Sequence, residues 1–170
     1  MDIVRLKEMH RMVWDNRSEL DKFGWNKNVD APLWAIRHAR GEIAEAQNER
    51  MRMDYDGDIR NNNAHGTESA YAYEMAQAAY MLLTFIGEKP SWKEIGENKM
   101  KLSILDNGID GIDGADIFAT NALEAAIEGD TERSVYLAIS ALWYLDGECI
   151  GLEYDLERVC EGFRIRCGAK

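Results

Sequence analysis

Apolar residues recur along the chain at helical spacing. Ile3, Leu6, Met9, His10, Val13 and Leu20 predict an amphipathic helix over 2–20. The stretch Lys22-Phe-Gly-Trp-Asn-Lys-Asn28 interrupts it, with Gly24 as the stop. Asp30 then suits an N-cap and Pro32 a first helical turn, which predicts a second helix to about Arg52. A polar loop fills 54–66. Thr67 caps a third helix to about Ile86, whose apolar face is Met75, Ala78, Ala79, Leu82, Leu83 and Ile86. Gly87 ends it, and Ser91 caps a further helix to about Leu105. The Asn-Gly and Asp-Gly pairs between Asp106 and Asp116 read as a connector. Beyond it the pattern predicts helices over 117–129, 131–149 and 153–166, the last two separated by Gly151.

The expected fold is all-α, a helical bundle of two stacked helical hairpins. Residues 1–105 form the first half, 106–116 the connector, and 117–170 a second half packed with the first as one domain. A weak internal repeat supports this division: Phe85-Ile86-Gly87 matches Cys149-Ile150-Gly151. In that alignment Glu74 falls on Ala138 and Gln77 on Ala141. The second half then keeps the packing without the polar pair, and chemistry concentrates in the first. The competing reading is chance likeness of two amphipathic hairpins.

Composition narrows the function. At 46% hydrophobic, 170 residues suffice for a sizeable core, and scarce Val with plentiful Ala, Leu, Met and Glu favours helix over sheet. A net charge of -11 argues against direct nucleic-acid binding, which needs a basic face, and against docking on anionic membranes. It leaves room for an anionic nucleotide, because a metal can bridge two anions. Cys149, Cys160 and Cys167 are odd in number and lack CxxC spacing, so they read as reduced thiols in a cytoplasmic protein. Charges from Asp2 and Arg5 onward argue against a signal peptide, and no apolar run reaches the roughly 18 residues of a membrane span.

The densest candidate chemistry lies in Trp34 to Glu49. His38, Glu42, Glu45 and Glu49 fall on one helical stripe beside the apolar stripe of Ile36, Ala39, Ile43 and Ala46. A solvated charge stripe normally interleaves cations, whereas Glu45 here meets Glu49. The choice is between a wet acidic face and a divalent cation held by carboxylate oxygens. If this helix packs antiparallel to the next, Glu42, Glu45 and Glu74 can converge on one metal, with Gln77 holding a water or the hydration shell. Trp25, Trp34 and His38 are candidate substrate-binding residues, the tryptophans for stacking on a base. Packing, or for His38 pairing with Glu42, is the plainer role of each. Lys99, Lys101 and Arg37 could meet phosphate or be surface charges. Asp54, Asp56 and Asp58 suggest a calcium loop only faintly, because Gly57 is misplaced and His65 stands where a bidentate Glu is needed. There is no HExxH, P-loop or nucleophile elbow.

Three pieces, in order, resemble the MazG-like family of all-α nucleoside triphosphate pyrophosphohydrolases. They are Lys22-Phe-Gly24 with Asn26 or Asn28, Gly41-Glu-Ile-Ala-Glu-Ala46, and Tyr73-Glu-Met-Ala-Gln-Ala-Ala79. The likeness covers roughly residues 5–105, and the second half looks like a decayed copy. It implies hydrolysis of a nucleoside triphosphate between the α and β phosphates, giving a monophosphate and pyrophosphate. It also implies magnesium or manganese held by carboxylates of the two central helices, and a homodimer or homotetramer. The sequence departs from the family at two places: Ala39 stands where a first acid is usual, and Gln77 where Asp is usual. The acidic pair would then be Glu42-x-x-Glu45. Two other functions follow from these departures and from the charge: a catalytically degenerate nucleotide- or protein-binding module, and an acidic interaction protein that blocks a basic partner.

Overall fold

The computed structural model describes residues 3–15, 31–55, 66–87, 89, 92–94, 109 and 111–166. Among them every regular element is helical and none is a strand. The helices are α1 (Ile3–Asp15), α2 (Ala31–Tyr55), α3 (Glu68–Gly87), α4 (Gly111–Ile127), α5 (Thr131–Gly151) and α6 (Leu156–Arg166).

Local chemistry sets the helix ends. Thr67 caps α3 as its sequence predicts, its Oγ1 accepting from the Ala70 N–H at 3.1 Å. Asp130 caps α5 through the Arg133 N–H at 3.0 Å, and Asp155 caps α6 through the Glu157 N–H at 3.0 Å. Gly129 takes the left-handed conformation, φ 81°, that lets α4 turn back into α5. Pro32 sits in the first turn of α2. Asp30 and the break over 22–28 lie outside the described residues.

Two boundaries differ from the sequence pattern. α4 begins at Gly111, inside the stretch read as connector. Gly114 there serves close packing: a Cβ on it would lie 2.3 Å from a ring carbon of Tyr144, so only a glycine lets α4 lie against α5 at this point. Ile112 and Ala115 beside it are buried. At the other end of α5, Gly151 stays helical and the left-handed residue is Glu153, φ 61°. That turn closes when the Tyr154 N–H reaches the Cys149 carbonyl at 2.8 Å.

α2 packs along α3, α4 along α5, α2 against α4, and α3 against α5; α1 and α6 both cover α3. The core therefore surrounds α3. From Ala78 to Ile86 every residue is buried, so the second half of this helix is enclosed on all sides. The hydroxyls of Thr84 and Ser140 donate to carbonyls one turn back, Tyr80 at 2.9 Å and Tyr136 at 3.0 Å, and enter the core satisfied. His10, expected on the apolar face of α1, is buried with its ring 4.1 Å from that of Trp92.

Beneath α1 lies an ion pair. Arg5 Nη2 is 2.8 Å from Asp146 Oδ1 and 3.0 Å from Asp155 Oδ1, and Asp146 is 1% exposed. Cys149 and Cys160 are buried free thiols, and the Cys160 Sγ–H donates to the Ala76 carbonyl at 3.4 Å. Burial, then the negative charges of Asp146 and Glu148, push the Cys149 thiol up to about 12. Burial pushes Cys160 up as well. Both are unreactive as nucleophiles at neutral pH. Cys167 lies outside the described residues. No single described helix is long and apolar enough to cross a membrane; α5 and α6 have that composition only together, across a 98° bend.

Candidate metal centre on the α2–α3 hairpin

Small side chains bring α2 and α3 close. Ala39, Ile43 and Ala46 of α2 and Ala72, Met75, Ala76 and Ala79 of α3 are all buried. The helices run antiparallel, since Glu49 meets Gly66 at one end and Glu42 meets Glu74 further along. The acids border this apolar seam. Glu42 and Glu74 are half-buried and Glu45 is exposed. One carboxylate oxygen from each lies within 4.8 Å of the other two. Gln77 stands behind them, its Nε2 donating to Glu74 Oε2 at 2.5 Å.

The remaining members of the sequence-defined stripe separate from this group. Glu49 is buried and engaged elsewhere: it accepts from the Gly66 N–H at 2.5 Å and pairs with Arg52. It fastens the hairpin and so cannot also share the charge of Glu45. His38 is exposed one turn before Glu42, its ring 4.3 Å from that of the half-buried Trp34. The pair forms an aromatic ledge next to the acids. Arg37 is exposed on the same turn. Trp25, Lys99, Lys101 and the calcium-like stretch from Asp56 to His65 lie outside the described residues.

Burial first, and crowding of like charge after it, raises these carboxyls. Burial raises the Glu42 carboxyl from 4.5 to about 7, helped by the charges of Glu45 and Glu74 and by a hydrogen bond to Glu74. Burial also raises Glu74, with Glu45 adding to it, while the hydrogen bonds from Glu42 and Gln77 oppose the rise. Glu42 and Glu74 share a hydrogen bond, which requires one proton between the two carboxyls. A metal would take that proton's place. Three carboxylate oxygens so grouped, all hard donors with a neutral amide behind, fit one small divalent cation such as Mg2+ or Mn2+.

The raised Glu42 predicts a pH dependence. Between 4.5 and about 7 the folded chain keeps a proton that the unfolded chain has released. The stability this contributes is complete below pH 4.5 and is lost as the pH rises through about 7. In chelator, raising the pH from 5.5 to 8 should cost about 1–2 kcal/mol through this group, allowing for solvent screening of a half-buried carboxyl. Urea unfolding at the two pH values measures it, and Glu42→Gln should flatten the difference. An equal slope in that variant would assign the effect elsewhere.

Three residues that the pattern did not single out join the two hairpins. Glu148 of α5 pairs with Arg50 of α2 and accepts from the Tyr71 hydroxyl of α3 at 3.0 Å. The Arg50 guanidinium lies 5.7 Å from the centre of the Tyr71 ring. Beside them Gln47 Nε2 donates to Asp113 Oδ1 at 3.0 Å. Each partner lies 66 or more residues away in sequence, beyond the reach of helical periodicity.

Against known proteins, no family model matches the sequence, and neither a curated protein nor a solved structure matches it.

Proposed function

We propose that the chain is a metal-dependent nucleoside triphosphate pyrophosphohydrolase. The observation that carries this is the convergence of Glu42, Glu45 and Glu74 from two antiparallel helices, with Gln77 bonded to Glu74. The likeness of Gly41–Ala46 and Tyr73–Ala79 to the MazG-like motifs supplies the reaction, and the pairing of α2 with α3 and α4 with α5 agrees with its stacked hairpins.

Glu42, Glu45 and Glu74 would hold Mg2+ or Mn2+. Such an ion supplies charge neutralisation on the phosphates of an otherwise repelled substrate. The chain's own residues do the rest. Gln77 orients Glu74 through the hydrogen bond that its Nε2 donates to Glu74 Oε2 at 2.5 Å. Glu42, raised to about 7 in the metal-free site, would give up its proton on becoming a ligand, so binding there releases a proton near neutral pH. The Trp34–His38 pair, one turn away with its rings tilted 49° to each other, offers an aromatic face for a base, and Trp25 is a second candidate for stacking. By the same likeness the assembly is a homodimer or homotetramer, and the reduced cysteines fit a cytoplasmic setting.

A second reading, binding without turnover, is favoured by Gln77 in the place of a fourth carboxylate. One experiment separates the two: pyrophosphate release from a panel of ribo- and deoxyribonucleoside triphosphates, with magnesium and then manganese. Metal-dependent release at catalytic protein concentration is expected. Nucleotide-induced thermal stabilisation with no release from any member would establish the binding module instead.

A further inference from the structure

The C-terminal hairpin carries no acid of the candidate centre, yet it sends one carboxylate into the hairpin that does. Glu148 leaves α5 and meets both site-bearing helices at once, Arg50 on α2 and the Tyr71 hydroxyl on α3, the latter at 3.0 Å. Its side chain is 13% exposed, so these contacts form largely out of solvent, where charge-assisted bonds are strong. Arg50 follows Glu45 by five residues on α2, and Tyr71 precedes Glu74 by one turn on α3. The spacing between Glu45 and Glu74 depends on how α2 and α3 are rotated and slid against each other, and Arg50 and Tyr71 are the handles by which a third element holds them.

Gly111 gives independent evidence that the space around this carboxylate is defined. A Cβ on Gly111 would lie 2.3 Å from Glu148 Oε2 and 3.2 Å from its Cδ. The start of α4 thus leaves room for Glu148 only by lacking a side chain. The carboxylate is enclosed by α2, α3 and α4 and has little freedom to swing away.

We infer that Glu148 is a positioning residue for the acidic centre, and that the second hairpin acts as the brace that sets the α2–α3 register. The inference rests on the reading of Glu42, Glu45 and Glu74 as a metal centre. It gives the second half a role that its loss of acidic residues does not remove.

The test is Mn2+ binding to the full chain at low temperature, read from the free-ion electron paramagnetic resonance signal, together with amide exchange along α2 and α3. Outer partners of metal ligands typically govern affinity by 10- to 100-fold. Glu148→Ala is expected to weaken Mn2+ about tenfold and to speed exchange around Glu42 and Glu74. Glu148→Gln keeps an acceptor for Tyr71 but loses the charge facing Arg50, and should weaken binding less; it carries the test if the alanine variant does not fold. Gly111→Ala removes no charged group and acts by crowding the Glu148 carboxylate, so it should also weaken Mn2+. Exchanging the charges, Arg50→Glu with Glu148→Arg, should recover part of the affinity lost by Glu148→Arg alone. A purely structural Glu148 would lower the melting temperature and leave the folded protein's Mn2+ affinity unchanged; that result, or wild-type affinity in Gly111→Ala, overturns the inference. A wild-type chain that binds no Mn2+ overturns the metal reading first and this role with it.

Discussion

Glu42→Gln should abolish metal-dependent turnover while leaving the protein folded and, above pH 7, no less stable. Gln is nearly isosteric with the protonated acid that Glu42 becomes when burial and two neighbouring carboxylates raise it to about 7. The substitution therefore keeps the shape of the seam and removes one of three crowded charges. It also removes a ligand oxygen. Losing one preorganised electrostatic group costs on the order of 10²–10³ in rate, and loss of metal compounds it. Glu74→Gln should lose activity similarly, since Glu74 is the sole acid of the group on α3. Steady-state pyrophosphate release and urea unfolding, run on the same preparations, separate chemistry from folding. Full activity in both variants would refute the enzyme assignment.

The largest expected effect on stability lies far from this centre. Arg5→Ala should destabilise the protein by about 3–5 kcal/mol, because it strips the guanidinium 2.8 Å from a carboxylate that is 1% exposed. For a chain of this length that corresponds to a fall in Tm of roughly 6–20 °C. Removing the other arm of the pair should matter less. Asp155 is 45% exposed, so Asp155→Ala should cost about 1–2 kcal/mol through the lost α6 cap and a weak ion pair. Replacing both members of the buried pair with apolar residues, Arg5→Met with Asp146→Leu, should restore much of the loss, since ions buried together are costly to desolvate. A Tm for Arg5→Ala within 2 °C of wild type would mean that Asp146 does not depend on Arg5.

The contrast between these two sites explains what the sequence made legible. Glu42, Glu45 and Glu74 stand at helical offsets beside an apolar stripe, and the antiparallel packing that joins them follows from two consecutive helices. Periodicity carries that kind of information. The cap at Thr67 was legible for the same local reason. Glu49 shares the stripe but not the site, because helical phase gives direction and not the partner that arrives at the other end; here that partner is the Gly66 N–H. Arg5 drew notice only as a charge near the start of the chain. Asp146 did leave a signal, since it shares the buried stripe of Leu142, Leu145 and Cys149, and an acid in that phase demands a counter-charge. Which cation answers, from 141 positions away, is set by packing alone. The Gly/Asp run misled in a physical way. Gly114 was read for backbone freedom, whereas the fold uses its lack of a side chain.

The burial of the second half of α3 has a consequence for how the α2–α3 seam can change. Glu74 and Gln77 ride on a helix gripped by α1, α2, α5 and α6, so a shift of their backbone would disturb four interfaces at once. Their counterparts on α2 stand on the outer edge of the seam, with Glu45, His38 and Arg37 all exposed. The two walls of the centre are thus unequal in evolvability. One is frozen by the core and sets an anchor that substitutions cannot easily retune. The other can exchange side chains at little cost in stability, and on the proposed function selection for a different base or sugar would leave its marks there first.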